Sequence, residues 1–345
     1  MDNAQARINR QIAYWLLFVC ATIFVMLVIG GATRLTHSGL SMMTWDPLMG
    51  WIPPLTDTAW LESFKHYQKI PEFHQLNPDM DLEGYKGIFM LEYIHRVWGR
   101  LIGLFFLVPF LYFLFAGKIQ KSLRPQLVAM FALGGLQGLL GWYMVSSGFD
   151  NPHVSQYRLT AHLMAAFAIF AYILWVAIGL LYPRAEASLY DVTPLRRLVG
   201  GVTLLIAVTV AAGGFVAGLK AGFTYNTFPL MDGSFVPEGY GMIEPFYLNF
   251  FENIAAVQFD HRILAELVLA CVVGLWFYAK KFELANQARL GFNLMLIMVC
   301  VQFILGVTTL LMVVPVPLGV AHQGGAMLLF ATALFTLSSL RSPKV

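Results

Sequence analysis

IFMLEYIHRVWGRLIGLFFLVPFLYFLFA, residues 88–116, decides the class of fold. It is apolar almost throughout and exceeds the ~20 residues a helix needs to cross the hydrocarbon core of a bilayer. The interruptions, Glu92, His95, Arg96 and Arg100, all fall in its first half. Working outward, apolar runs of spanning length recur at about 13–33, 125–147, 158–181, 198–218, 257–279, 290–313 and 318–340. The composition agrees: 345 residues are 58% hydrophobic and 12% charged. Soluble domains carry about 25% charged residues, so a water-soluble fold is excluded. The expectation is an all-α polytopic membrane protein of eight transmembrane helices. Polar Met1 to Gln11 leads into a full-length span rather than a short one with a cleavage site, so the first helix is expected to stay as an anchor.

A net charge of +3 says little; its placement says more. Arg7 and Arg10, Lys118, Lys121 and Arg124, Arg184, Arg196 and Arg197, Lys280, Lys281 and Arg289, and Arg341 and Lys344 all fall on one side of the eight spans. By the positive-inside rule both termini are cytoplasmic. Nothing in this distribution suggests nucleic acid. Cys20, Cys271 and Cys300 lie in apolar runs without CxxC spacing, which reads as packing rather than a disulfide framework or thiolate site. The opposite side carries two long loops, Arg34 to Gly87 and about Leu219 to Ala256. In the first, DTAWLESFKHYQK (57–69) predicts an amphipathic helix capped by Asp57, with Trp60, Phe64 and Tyr67 turned toward the membrane or an apolar ligand, or a plain surface helix.

Residues 1–182 and 183–345 repeat one another. Gly30-Gly31 matches Gly213-Gly214, with Gly39 and Gly222 nine residues beyond the first glycine of each pair; His95-Arg96 matches His261-Arg262; LQGLLG with Gln137 and Gly141 matches VQFILG with Gln302 and Gly306; His162 matches His322. Each half has an even number of spans, so both enter the membrane alike. The predicted architecture is two four-helix bundles related by a pseudo-twofold axis along the membrane normal.

His95, His162, His261 and His322 sit inside spans and, on the charge-derived topology, share one depth near the outer ends. A lone intramembrane histidine is as readily an interhelical hydrogen bond as a ligand; a repeat-symmetric set of four is harder to dismiss. Paired imidazoles on neighbouring helices make a bis-histidine haem site, His95 with His162 and His261 with His322. Zinc or copper asks for a third ligand, and the second half offers only Asp260. Small residues beside the ligands, Gly99, Gly103, Ala161, Ala165, Ala166, Gly319, Gly324 and Gly325, admit a flat macrocycle or serve plain helix packing. Arg34, Arg96 and Arg262 are candidates for pairing with haem propionates; Arg158 reads as interfacial snorkelling. Glu92 precedes His95 by three residues on one helical face, where the second half has Gln258 before His261. A carboxylate so placed serves chemistry at the first site or a salt bridge to Arg96.

These residues resemble the haem A synthase family over nearly the whole chain. The resemblance rests on GGATRLTHSGLSM (30–42), the Trp45, Pro47 and Pro53-Pro54 punctuation, EYIHRVWGRLIG (92–103), QGLLGWYMVSSG (137–148), YRLTAHL (157–163), FDHR (259–262) and the His322 helix. It implies oxidation of a methyl group of haem O to a formyl group, giving haem A for cytochrome oxidase biogenesis in a bacterial inner membrane. It also implies a resident haem b between His261 and His322, substrate near His95 and His162, and Glu92 as a catalytic carboxylate. The implied partners are the farnesylating haem O synthase, oxidase assembly factors and an unidentified electron donor; a homo-oligomer is compatible with it, but the sequence names no interface for one. Some members carry a cysteine pair in the first outer loop; residues 34–87 here have no Cys, as in the proteobacterial and mitochondrial branch. The alternatives are a b-type cytochrome or quinol-oxidising subunit, a transporter and a non-catalytic haem chaperone. Histidines at one depth disfavour conduction across the bilayer, a parallel repeat disfavours the transporter, and Glu92 alone argues against the chaperone.

Overall fold

The structure is a computed structural model describing residues 3–44, 50–149, 153–182 and 191–341. Trp45, Pro47, Arg184 and Lys344, used above for motif or topology, lie outside the described residues. Among those described, eleven α-helices form and no strand does. Eight are long and apolar enough to cross a membrane: α1 (Asn3–Leu35), α4 (Leu82–Phe115), α5 (Arg124–Ser146), α6 (Gln156–Leu181), α7 (Thr193–Gly218), α9 (Ile254–Ala279), α10 (Asn286–Leu311) and α11 (Val316–Ser339). The short helices α2 (Asp57–Tyr67), α3 (Pro71–Leu76) and α8 (Asn249–Glu252) lie in the two long loops.

Local chemistry sets the ends. Pro125, Pro194 and Pro317 sit in the first turns of α5, α7 and α11, where a missing N–H costs nothing. Asn253 caps α9 by accepting from the Ala255 and Ala256 N–H groups, and Asp81 caps α4 by accepting from Gly84 N–H at 2.8 Å. Helix α4 therefore starts six residues before the hydropathy predicts. Its 34 residues extend about 51 Å, well beyond the ~30 Å hydrocarbon core.

The chain forms two compact units, Ala21–Ala166 and Met1–Cys20 with Phe167–Val345. In the first, the early turns of α4 are the wall of a small aromatic core. Tyr67 and Tyr85 are fully buried, with Leu40, Phe64, Ile70 and Phe89 around them and Trp60 packed at the edge. Tyr85 stacks on Phe64 and Tyr67 with ring centres 5.0 and 5.4 Å apart. Tyr67 Oη donates to Glu72 Oε1 at 3.1 Å and accepts from Asn77 Nδ2 at 2.8 Å; burial and then the Glu72 charge push its phenol above the ordinary range. Two expectations are corrected here. The cap of α2 is Thr56, whose Oγ1 accepts from Ala59 N–H at 3.2 Å, not Asp57. Phe64 and Tyr67 point into this protein core rather than toward lipid or a ligand, because the start of α4 supplies Tyr85 and Phe89 as partners.

In the second unit α7 packs on α9, α9 on α10, α10 on α11 and α11 on α7, so the four close into a ring. Cys20 is buried in packing, whereas Cys300 is exposed, unlike the packed residue its apolar run implies; among the described residues all three cysteines are free. The α10–α11 seam is close because Gly291 faces Thr336: a Cβ there would lie 3.0 Å from the Thr336 Cα. Backbone cannot yield as a flexible side chain does, so Gly291→Val should cost about 1–3 kcal/mol through overpacking. Gly274→Ala on α9, with nothing within 4 Å, should be neutral or stabilising by up to about 1 kcal/mol. Thermal unfolding in detergent separates them, and equal melting temperatures would contradict the seam.

Candidate functional site

On α4, Glu92, His95 and Arg96 follow at i, i+3 and i+4, which puts them on one face. Glu92 is 3% exposed, and four donors converge on its carboxylate. Oε2 accepts from Ser41 Oγ at 2.7 Å and from the Met42 N–H at 2.8 Å. Oε1 accepts from Arg96 Nε at 3.1 Å and from Arg96 Nη2. Arg96 reaches on to the loop, donating to Thr44 O at 2.6 Å and Met42 O at 2.9 Å. Tyr85 Oη donates to Ser41 O at 3.1 Å and pairs with Ser63 Oγ on α2. The aromatic core thus rests on the same segment that grips Glu92.

Helix α9 repeats the spacing with Gln258, His261 and Arg262, and the chemistry is inverted. Gln258 Nε2 donates to Ala221 O at 2.9 Å and Thr224 O at 2.6 Å, while its Oε1 accepts from Arg262 Nη2 at 3.3 Å. Arg262 also donates to Thr227 O at 2.8 Å and Tyr225 O at 2.5 Å. In both units an arginine ties a loop to the histidine-bearing helix. The partner residue differs: the first loop offers donors to a carboxylate, the second offers carbonyls to an amide. Beside this pair Tyr240 Oη donates to Asp260 at 2.9 Å, and burial with the neighbouring carboxylate pushes the Tyr240 phenol up to about 12.

The four histidines are half-buried. His261 Nδ1 lies 3.1 Å from Thr209 O; a carbonyl only accepts, so the proton is on Nδ1 and the Nε2 lone pair is left for a metal. His95 Nδ1 is 3.4 Å from Thr33 Oγ1, whose hydroxyl donates to Ile29 O at 2.8 Å, which favours the same tautomer. His322 meets Gln302, whose Nε2 is 3.1 Å from Nδ1 and donates to the His322 carbonyl at 2.9 Å. As placed, the Gln302 amide makes Nδ1 an acceptor and leaves its own Oε1 buried without a partner among the described residues. Gln137 makes the equivalent bond to the His162 carbonyl at 2.9 Å, but His162 Nδ1 has no partner among the described residues. The His261 and His322 ring centres are 6.4 Å apart with planes at 88°. Two imidazoles bound to one ion at about 2 Å each have ring centres about 6 Å apart, so this pair fits an iron porphyrin between them.

The structure brings Glu92, His95 and Arg96 together, and likewise Gln258, His261 and Arg262, with His322 opposite His261. It gives Arg96 and Arg262 to loop carbonyls. Arg34 stands half-buried in the last turn of α1, where a cation suits the helix dipole, and its carbonyl accepts from the His37 N–H at 3.2 Å. Arg158 donates to Tyr143 O at 2.7 Å and lies 3.8 Å over the Tyr143 ring, an anchored surface cation. Sequence reasoning missed Ser41, Thr33 and Thr209 as partners. Thr33 stands in the last turns of α1 and Ser41 in the segment just after it, but the facing helix that gives them meaning lies 51 to 62 residues onward.

The comparisons with known proteins bear on what this constellation serves. A family described as "Cytochrome oxidase assembly protein" matches residues 13–334. The chain is 50% identical over 338 residues to "Heme A synthase" of Nitrosospira multiformis, covering 97% of this chain and 94% of that protein. It is 49% identical over 336 residues to "Heme A synthase" of Nitrosomonas eutropha, covering 96% and 94%. It is 41% identical over 346 residues to "Heme A synthase COX15" of Arabidopsis thaliana, covering 97% and 76%. Histidine-bearing helices of this kind, matched end to end by such relatives, place the chain in the COX15-CtaA family of cytochrome oxidase assembly proteins.

Proposed function

We propose that the protein is a haem A synthase, oxidising one methyl group of haem O through successive hydroxylations and loss of water to the formyl group of haem A. The observation that carries this is the perpendicular His261–His322 pair, 6.4 Å apart, with His95 and His162 at the matching sequence positions of the first half, in a chain half identical to proteins named for that reaction. Residues 183–345 hold a resident haem b on His261 and His322; residues 1–182 receive the substrate at His95 and His162. When bound, the resident haem would supply one-electron transfer.

The chain's own residues do the rest. Thr209 O and Thr33 Oγ1 hold His261 and His95 with Nε2 turned out as a neutral ligand. Leu40, Tyr85 and Phe89 and the loop they anchor keep water from Glu92. A carboxylate has about four lone-pair directions, and Ser41, Met42 and Arg96 supply four donors. Taking a proton therefore means displacing one of them, which favours Glu92 as a fixed negative group stabilising positive charge at the oxidised carbon. The propionates of haem pair with Arg34 and the outward edges of Arg96 and Arg262. The enzyme lies in a bacterial inner membrane with both termini cytoplasmic. It takes haem O from its farnesylating synthase, passes haem A to oxidase assembly factors and works with a separate electron donor.

His261→Ala or His322→Ala should abolish the resident haem absorption of the purified protein; an unchanged spectrum would refute the assignment. Glu92→Gln should retain bound haem while haem A formation in cells falls about 100-fold or more. Chromatography of extracted haems B, O and A reads this directly, and a normal haem A content would remove Glu92 from the reaction.

A further inference from the structure

Each membrane histidine lies edge-on against a glycine of the adjoining helix. An ideal Cβ at Gly30 would meet His95 Cε1 at 3.1 Å; at Gly141, His162 Cε1 at 3.0 Å; at Gly213, His261 Cε1 at 3.0 Å; at Gly306, His322 Cε1 at 2.9 Å. In all four the ring atoms follow the same order, Cε1 nearest, then Nδ1, then Nε2. Carbon atoms in favourable contact stand about 3.5–4.0 Å apart, so a side chain there pushes the ring aside by a few tenths of an ångström, the scale on which a ligand constellation is held. The polar surroundings of the rings, by contrast, differ: Thr33 for His95, the Thr209 carbonyl for His261, Gln302 for His322, and no partner on His162 Nδ1 among the described residues. What the four sites share is the glycine.

We propose that Gly30, Gly141, Gly213 and Gly306 are positioning residues that set the pose of the four imidazoles by steric contact with Cε1, and that hydrogen bonding is secondary. The contact falls on the carbon between the two ring nitrogens. Pushing it aside turns Nε2 away from an ion shared with the facing ring. At His162 the seat is the main constraint on the side chain, since Gln137 holds only its carbonyl. Other glycines of these helices have no such duty: Gly201 on α7 and Gly134, Gly135 and Gly138 on α5 have nothing within 4 Å of a Cβ.

The proposal rests on the haem reading for its spectroscopic arm and on geometry alone for the other. In the first arm, full-length wild type, Gly213→Ala, Gly306→Ala and the control Gly201→Ala are purified in detergent, and haem per protein and the low-temperature EPR g-values of the oxidised haem are measured. Expected are lost haem or an altered spread of g-values in the two seat variants, with Gly201→Ala like wild type. Folded seat variants with wild-type haem content and g-values overturn the proposal. In the second arm, melting temperatures are compared for Gly306→Ala alone and in a His322→Ala background. The glycine substitution should lower the melting temperature only when the imidazole is present. An equal loss with and without the ring, or failure of the double variant to fold where His322→Ala folds, overturns it even if Gly306→Ala alone is too unstable to purify. A wild-type protein with no bis-histidine haem signal would refute the haem reading and leave the second arm to decide.

Discussion

A polar side chain inside a bilayer has no water to turn to, and the arrangement of this protein follows from meeting that demand with protein groups. The decisive case is the arginine one residue after a histidine in α4 and again in α9. A guanidinium at that depth is tolerated because the loop leaving the preceding long helix folds back and presents its carbonyls: Met42 and Thr44 to Arg96, Tyr225 and Thr227 to Arg262. Each clamp fixes loop to helix within one turn of a histidine. In the first unit the same segment supports the aromatic core of Tyr67 and Tyr85 through the Tyr85–Ser41 bond. Loop fold, helix position and ligand placement are one cooperative object.

Rigidity of this kind is what a porphyrin site needs. Two axial ligands must stand at a fixed separation, and the second unit holds its pair on a ring of four mutually packed helices. Glycine lets the helices come close enough that each imidazole lies against a neighbouring backbone. The close approach and the ligand geometry therefore share one cause.

The spans were legible because a bilayer imposes a length and a polarity that one-dimensional hydropathy captures. The intramembrane histidines were legible because ionisable groups stand out in such runs, and the internal repeat tied them into a set. Helix ends were less so: Thr56 and Asp57 are both good caps, and the choice between them is made by backbone geometry at a single residue. The destination of Phe64 and Tyr67 was illegible for a different reason. An apolar face looks the same whether it meets lipid or protein, and here the overhanging start of α4 settles the matter. Glu92 was visible as an asymmetry, but Ser41 and Met42, which hold it, are about fifty residues away and become partners only once the loop has folded back. The glycine seats were visible as landmarks of the repeat; that they touch the histidines is a fact of three dimensions.

The inverted polarity beneath Arg96 and Arg262 has a bearing on how such a duplicated chain diverges. Exchanging Glu92 for the glutamine of the other unit would leave an amide oxygen for the Ser41 and Met42 donors but turn an N–H toward the Arg96 donors, and the reverse exchange would set a carboxylate against the carbonyls of Ala221 and Thr224. Neither half can take the other's side chain without setting a donor on a donor or an acceptor on an acceptor. The difference between the two halves is thus written into the groups that face the side chain as well as into the side chain itself.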